Sequence, residues 1–237
     1  MSSEFFFAKI RLLVNWFLVK LVGSVIGMLA LLTGCIQTPV TQTMAEAFGK
    51  GKSGNIDAIK LNPNLKYLRV TLRERAVLMV LGYSENSPKG TMETWYSSQG
   101  EVLKLLNGRV VSTNGFEIDW RNVNDVPFPN WTELNALNLS ATSFEFKRTY
   151  DQMPAYQFGI SETVQLYGVR TPTNANLVGL PANQLKWVEE KVKGTAHGLP
   201  SARYGLSTKN GQTFVVYGEQ CFSSELCFSW QTWPVAK

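Results

Sequence analysis

Two Asn-Gly dipeptides constrain the fold of this chain more than any other local feature. Asn107-Gly108 in "LLNGRVV" and Asn210-Gly211 in "LSTKNGQTFVVY" each lie between short β-prone runs. A two-residue type I′ turn needs positive φ at both central positions, which asparagine and glycine tolerate, and its twist suits paired antiparallel strands. The sequence therefore predicts two tight β-hairpins, with a further turn at Gly100 in "SSQGEV".

Short runs rich in β-branched and aromatic residues continue along the chain from Leu65. Ala76 to Tyr83 is continuously apolar, as expected of a strand buried on both faces. Helical periodicity is almost absent after residue 60, apart from a helical turn predicted near Trp131–Ala136. The predicted fold class is all-β and mainly antiparallel: a hairpin-rich sandwich or partial barrel of two packed sheets. Further strands are expected at "FEIDW", "SFEFKRTY", "ETVQLYGV", "LKWVEEKV", "ARYGLS" and "CFSWQTW".

The composition is that of a chain with a packed core. Apolar residues make up 44% and charged residues 17%. The formal net charge is +5, part of which comes from Lys9, Arg11 and Lys20 near the N-terminus. No Lys/Arg-rich run follows, so no nucleic-acid partner is expected.

The N-terminal segment has the pattern of a cleavable signal. Leu21 to Thr33 is uncharged and follows cations, but it is shorter than the roughly 20 residues of a spanning helix. A longer anchor counted from Phe5 is the alternative, and charged residues interrupt it. We therefore predict a signal helix over residues 1–34.

A cysteine directly follows this segment in "LLTGC", which resembles the bacterial lipobox. The resemblance implies cleavage before Cys35 and acylation of that residue, which anchors the protein to a lipid bilayer. Ile36 follows rather than aspartate, which by resemblance to enterobacterial sorting indicates the outer membrane. Residues 35–60 are then predicted to be a flexible tether with one short helix over Thr43–Phe48, and residues 61–237 are predicted to be a β-rich periplasmic domain.

Two cysteines remain, Cys221 and Cys227 in "CFSSELC". In an oxidising periplasm this even pair predicts a disulfide that closes a small loop, and two reduced thiols are the alternative. A metal site would need more ligands, whereas the chain has a single histidine, His197. No metal and no cofactor are predicted.

No catalytic residue is predicted. Glu189 and Glu190 are adjacent, so in a strand they point to opposite faces and cannot act as a carboxylate pair. No nucleophile elbow, phosphate-binding loop or dinucleotide fingerprint occurs. The other acidic residues are interpreted as solvated edges and turn caps: Asp119, Asp125, Glu133, Glu145 and Asp151.

Three residues are candidates for sugar contact: Trp95, Tyr96 and Arg109. Trp95 and Tyr96 are neighbours in a predicted strand and must face opposite ways, so at least one could present its ring to a sugar. Arg109 could meet an acidic group of a polysaccharide. The alternatives are core packing for each tryptophan and a solvated hairpin position for Arg109.

The segments "VLGYSEN", "TWYSSQGEVLKLLNGRVVSTNGF", "WVEEKV" and a terminal "WQTWP" carry a family resemblance. Together with the lipobox they resemble the YjbF/GfcB family of capsule and exopolysaccharide lipoproteins. The C-terminal third matches more loosely, and "CFSSELC" falls outside the resemblance. The resemblance implies an outer-membrane lipoprotein with a β-rich fold, encoded among genes for assembly or secretion of surface polysaccharide. It supplies no catalytic residues.

The predicted function is that of a non-catalytic lipoprotein, held at the outer membrane and facing the periplasm. It would assist export or assembly of a capsular polysaccharide or exopolysaccharide by contacting the polymer or export proteins. One alternative is a structural envelope lipoprotein that binds another protein through an exposed sheet edge. The third class, a carbohydrate-active enzyme, has the least support.

Overall fold

A computed structural model describes Ile56 and residues 59–137, 139–194 and 199–235. The predicted signal helix, Cys35, the tether helix over Thr43–Phe48 and His197 all lie outside the described residues. Within the described part, no helix is long and apolar enough to cross a membrane.

The described residues form twelve strands, a short helix and a 3₁₀ turn over Ala182–Gln184. The helix α1 spans Trp131–Ala136, as the sequence predicts. The strands are β1 (Tyr67–Leu72), β2 (Arg75–Ser87), β3 (Gly90–Ser97), β4 (Val102–Leu106), β5 (Arg109–Asn114), β6 (Asp119–Val126), β7 (Phe144–Met153), β8 (Gln157–Val169), β9 (Lys186–Val192), β10 (Ala202–Lys209), β11 (Gln212–Cys221) and β12 (Cys227–Trp233).

All twelve strands belong to one antiparallel sheet with the order β5-β4-β3-β2-β1-β12-β11-β10-β9-β8-β7-β6. The sheet curls until its two edge strands, β5 and β6, lie side by side. Side chains bridge this seam: the Trp120 backbone N–H donates to Thr113 Oγ1 at 3.1 Å, and Arg121 Nη2 donates to Asn114 Oδ1 at 2.7 Å. The all-β, mainly antiparallel prediction is confirmed. Of the two predicted forms the partial barrel describes the observed curl, but it is built from one sheet and not from two packed sheets.

Turn chemistry explains where the hairpins form. Asn107 and Gly108 have φ values of 50° and 81°, and Asn210 and Gly211 have 52° and 77°. Both predicted Asn-Gly hairpins are therefore confirmed. Gly108 has a second role, because a Cβ there would lie 2.5 Å from Cβ of Val215. Its bare backbone lets the β4–β5 turn pack against β11 across the interior of the sheet.

The core fills the inside of the curled sheet, and aromatic rings dominate it. Trp120 stacks on Tyr150 with ring centroids 4.2 Å apart and contacts Phe222 at 4.9 Å. Strand alternation places these residues, since every second residue of a strand faces the same side. Two smaller apolar clusters lie outside this core: Tyr67, Leu78 and Val80 with Leu61 and Leu65 beside them, and Leu185, Trp187 and Tyr217 under the loop before β9.

The curled sheet has two distinct ends. We call one of them the helix end. It is where β1, β3, β5 and β11 begin and where α1 lies against β11. The Asn130 side chain caps α1 by accepting from the Glu133 backbone N–H at 2.9 Å, and Trp131 and Leu134 are buried in the core. The Thr213 backbone N–H donates to Thr132 Oγ1 at 2.9 Å, which ties α1 to β11.

The β11–β12 hairpin closes the other end. Cys221 and Cys227 are paired across the two strands and joined by a disulfide, so the predicted pairing is confirmed. Between them, the Phe222 backbone N–H donates to Leu226 O at 2.9 Å, and both side chains are buried.

Replacing both Cys221 and Cys227 by alanine is expected to lower the free energy of unfolding by about 2 kcal/mol. The closed loop is short, so the crosslink removes only modest entropy from the unfolded chain. Urea denaturation of the double variant measures this loss, and wild-type protein treated with a reductant is the matched control. A loss of stability in the reduced wild type but none in the double variant would contradict the expectation.

Candidate functional site

Four charged side chains meet inside the curled sheet: Arg109 of β5, Asp125 of β6, Arg148 of β7 and Glu190 of β9. Arg109 Nη2 lies 2.6 Å from Asp125 Oδ2, and Arg148 Nε lies 3.1 Å from Asp125 Oδ1. Both arginines also pair with the Glu190 carboxylate. Each carboxylate thus bridges both guanidinium groups. We call these four residues the charge cluster.

Strand alternation brings the charge cluster into the interior. On β7, Phe146, Arg148 and Tyr150 occupy every second position and are all buried. On β9, Val188 and Glu190 share the inner face. The sequence "FEFKRTY" already indicates that Arg148 faces inward, because Arg148 lies two residues from Phe146 and two from Tyr150 and so shares a strand face with both.

Three sequence interpretations are tested by this geometry. Glu189 and Glu190 do face opposite sides: Glu190 is 2% exposed, whereas Glu189 is half-buried and accepts from the Tyr167 hydroxyl at 2.7 Å. The interpretation of Asp125 as a solvated edge is wrong, because both arginines hold it inside the sheet. Arg109 is likewise not a solvated hairpin residue, since it is 5% exposed.

Aromatic rings pack against the guanidinium groups of the charge cluster. The Arg109 guanidinium carbon lies 3.8 Å from the Phe128 ring centroid and 5.0 Å from that of Phe146. Burial disfavours the charged form of both arginines, yet the carboxylates of Glu190 and Asp125 outweigh it and raise both pKa values. The charged groups of the cluster are paired with one another, which suits a structural role rather than proton transfer.

Acid is expected to destabilise the fold through Asp125. Burial opposes its ionisation, but Arg109 and Arg148 hold its pKa below the ordinary value. A carboxylate with a depressed pKa in the folded state contributes stability above its unfolded pKa of about 3.9, and that contribution is lost as the pH falls lower. Urea denaturation from about pH 7 to about pH 3 should show falling stability. The slope should be shallower in Asp125→Asn, and an unchanged slope in that variant would contradict this assignment.

Two adjoining clefts open at the helix end. The large cleft has a volume of about 1030 Å³ and the small cleft about 560 Å³. The two share Asn107, Asn130, Trp131 and Glu133, which therefore form the wall between them. Five strands contribute residues to the large cleft: Leu68 of β1, Glu93 and Trp95 of β3, Leu105 of β4, Phe214 of β11, and Trp230 and Thr232 of β12. Lys66, just before β1, lines it as well.

The three candidate sugar contacts do not converge on one place. Trp95 is 4% exposed and lines the large cleft. Tyr96 lies on the opposite face of β3, where its ring covers Gly82: a Cβ there would lie 2.6 Å from Tyr96 Cε2. Arg109 lines the small cleft, with its guanidinium held by the charge cluster.

Comparison with known proteins identifies the family. A family model described as "Group 4 capsule polysaccharide lipoprotein gfcB, YjbF" matches residues 43–222, which is more than half of the chain. The chain belongs to this family. The resemblance seen in the sequence is thereby confirmed, and this member of the YjbF family is a capsule-associated lipoprotein of the cell envelope.

The curated proteins contain no match to this YjbF-family chain. Among solved structures, it is similar to the crystal structure of the hypothetical lipoprotein YmcC from Escherichia coli (K12). The two share 15% sequence identity, the match covers 74% of this chain and 86% of that chain, and the TM-score is 0.48. At that distance no functional residue is carried from one to the other.

Nothing in the site indicates catalysis by this YjbF-family protein. The family is a capsule lipoprotein family and not a known enzyme family. Across residues 59–137, 139–194 and 199–235, no three His, Cys, Asp or Glu side chains are placed to hold a metal ion. The residues that sequence reasoning missed are those of the charge cluster other than Arg109, and those of the large cleft other than Trp95.

Proposed function

We propose that this protein is anchored in the outer membrane, faces the periplasm, and assists export or assembly of a capsular polysaccharide or exopolysaccharide without chemically altering it. The observation that carries this proposal is the match of the capsule lipoprotein family model over residues 43–222. The internally paired charge cluster supports a non-catalytic role, because its carboxylates are committed to Arg109 and Arg148.

The anchor in this proposal is an acylated Cys35. Each buried CH₂ of an acyl chain contributes roughly 0.8 kcal/mol, so two or three chains hold a protein stably without a spanning helix. The residues between Cys35 and Lys60 could extend to at most about 85 Å. They would lead into the β domain at the helix end, because β1 begins there with Leu61 and Leu65 packed on its outer face. The tether would therefore reach the domain beside the two clefts.

A second candidate function is protein binding without sugar contact. The β7–β8 hairpin ends in two aromatic side chains exposed to solvent, Tyr156 at 72% and Phe158 at 67%. Exposed aromatic rings at a hairpin tip are typical of residues that dock against another protein. An export partner in the periplasm or outer membrane is the expected target.

Polysaccharide distribution in cells that lack the gene tests the proposed function. With export or assembly impaired, polymer at the cell surface is expected to fall while the amount retained inside the envelope rises. Re-expression of the wild-type chain should restore the surface polymer. If surface and retained polymer are both unchanged in the deletion strain, the proposal is wrong. A fall in both pools would place the defect at synthesis and also contradict it.

A further inference from the structure

We propose that the large cleft binds an uncharged segment of the polysaccharide chain, and that sugar rings lie against its aromatic side chains. This inference deepens the proposed function, on which it rests. It assigns a place and a ligand class to a contact that the family membership leaves open. The support comes from the dimensions of the cleft, the unpaired indole N–H of Trp230, and the charge of the lining residues.

The dimensions of the large cleft suit a short length of glycan. Its volume of about 1030 Å³ is at the upper end of the range of roughly 300–1,000 Å³ typical of small-molecule sites. It opens at the helix end and runs down to buried side chains of the core, including Trp95 and Trp230. An open cleft of this kind admits an internal segment of a polymer as well as a chain end.

Aromatic side chains supply apolar contact on the wall and at the floor. Phe214 of β11 lines the cleft and is 42% exposed. Trp95 and Trp230 form apolar surface deeper in the cleft. A sugar ring has an apolar face of C–H groups. When that face lies against an exposed phenyl ring, both apolar surfaces are removed from water.

One buried hydrogen-bond donor that lines the large cleft has no protein acceptor. Trp230 is 2% exposed, and its Nε1–H has no hydrogen-bond partner in the described part of the chain. The Trp95 Nε1–H is not counted as a second unpaired donor, because the Glu93 carboxylate lies beside its indole. Buried indole N–H groups usually find an acceptor, and leaving one unpaired is costly. A ligand hydroxyl oxygen would supply it.

The charge of the cleft selects an uncharged segment. Its charged lining residues are Lys66, Glu93 and Glu133, so cations are not in excess. The small cleft offers the contrast: it contains Arg109, but that guanidinium is already paired with Asp125 and Glu190. Binding in the large cleft should therefore depend little on salt, unlike binding to an acidic polymer through arginine or lysine.

Titration of the full-length lipoprotein tests this inference. The protein is kept in a detergent without a sugar headgroup, and the probes are short oligosaccharides cut from the surface polysaccharide of the source bacterium. Saturable binding is expected by calorimetry, with an affinity that is nearly unchanged between low and high salt. Phe214→Ala should weaken binding about tenfold. Trp230→Phe, which keeps an aromatic ring and removes the donor, should weaken it about 3–10-fold.

A matched pair of insertions locates the site. Thr232 is an exposed strand residue that lines the large cleft, and Thr163 is an exposed strand residue of β8 that does not. Thr232→Trp should weaken binding about tenfold by occupying part of the cleft, whereas Thr163→Trp should leave binding unchanged. Absence of saturable binding by the wild type, or equal binding by both variants, would overturn the inference. If the deletion strain still shows its export defect in that case, the proposed function stands and only the site assignment is wrong.

Discussion

Replacement of Glu190 by alanine is expected to lower the free energy of unfolding by about 3–5 kcal/mol. Glu190 bridges Arg109 and Arg148, and all three side chains are buried. Removing the carboxylate leaves two guanidinium groups in an apolar interior with only Asp125 to neutralise them. An uncompensated buried charge costs more than the pair itself contributes, which makes this the largest stability effect that we expect from a single substitution.

Glu189→Ala is the matched control for this experiment. Glu189 is the preceding residue of the same strand, faces the other side, and accepts from the Tyr167 hydroxyl at 2.7 Å. Its loss is expected to cost about 1 kcal/mol, as for a single hydrogen bond. A combined Arg148→Met and Glu190→Leu variant should recover part of the stability, because it removes one charge of each sign. Equal losses in Glu189→Ala and Glu190→Ala would contradict the role of the charge cluster.

Replacement of Cys35 by alanine is expected to abolish lipid attachment and move the protein out of the membrane fraction. In the proposed anchor the Cys35 thiol is the site for diacylglycerol, so its loss would also remove the apolar area proposed to hold the protein in the bilayer. Metabolic labelling with a fatty-acid analogue, followed by fractionation of the envelope, measures both effects. The variant with alanine at Cys221 and Cys227 is the control and should keep its label. A Cys35→Ala protein that still takes up label would contradict the anchor assignment.

The hairpins and the helical turn could be predicted from sequence because their causes are local. The Asn-Gly turns at residues 107–108 and 210–211 depend on the backbone freedom of two adjacent residues. α1 begins at its asparagine cap and needs no distant contact to be recognised. The disulfide between Cys221 and Cys227 was predictable because these are the two cysteines that remain once Cys35 is assigned to the lipid anchor. They also lie only six residues apart.

The charge cluster could not be predicted in the same way, because its members come from four strands. Arg109 and Glu190 lie 81 residues apart in sequence, and they meet only when the sheet has curled and β5 has reached β6. Strand alternation shows that Arg148 faces inward with its aromatic neighbours, but it does not say which carboxylates face it. The large cleft depends on the same curl, which brings Trp95 of β3 and Phe214 of β11 to one cavity.

Surface polysaccharide, measured in a deletion strain that expresses variants of this protein at equal levels, tests the central claim most directly. That claim is that one molecule must combine a membrane anchor with a β domain that serves polysaccharide export or assembly. Wild-type protein is expected to restore polymer at the cell surface, and Cys35→Ala, which retains the whole β domain, is expected not to restore it. Full restoration by Cys35→Ala, or no restoration by the wild type, would contradict the claim.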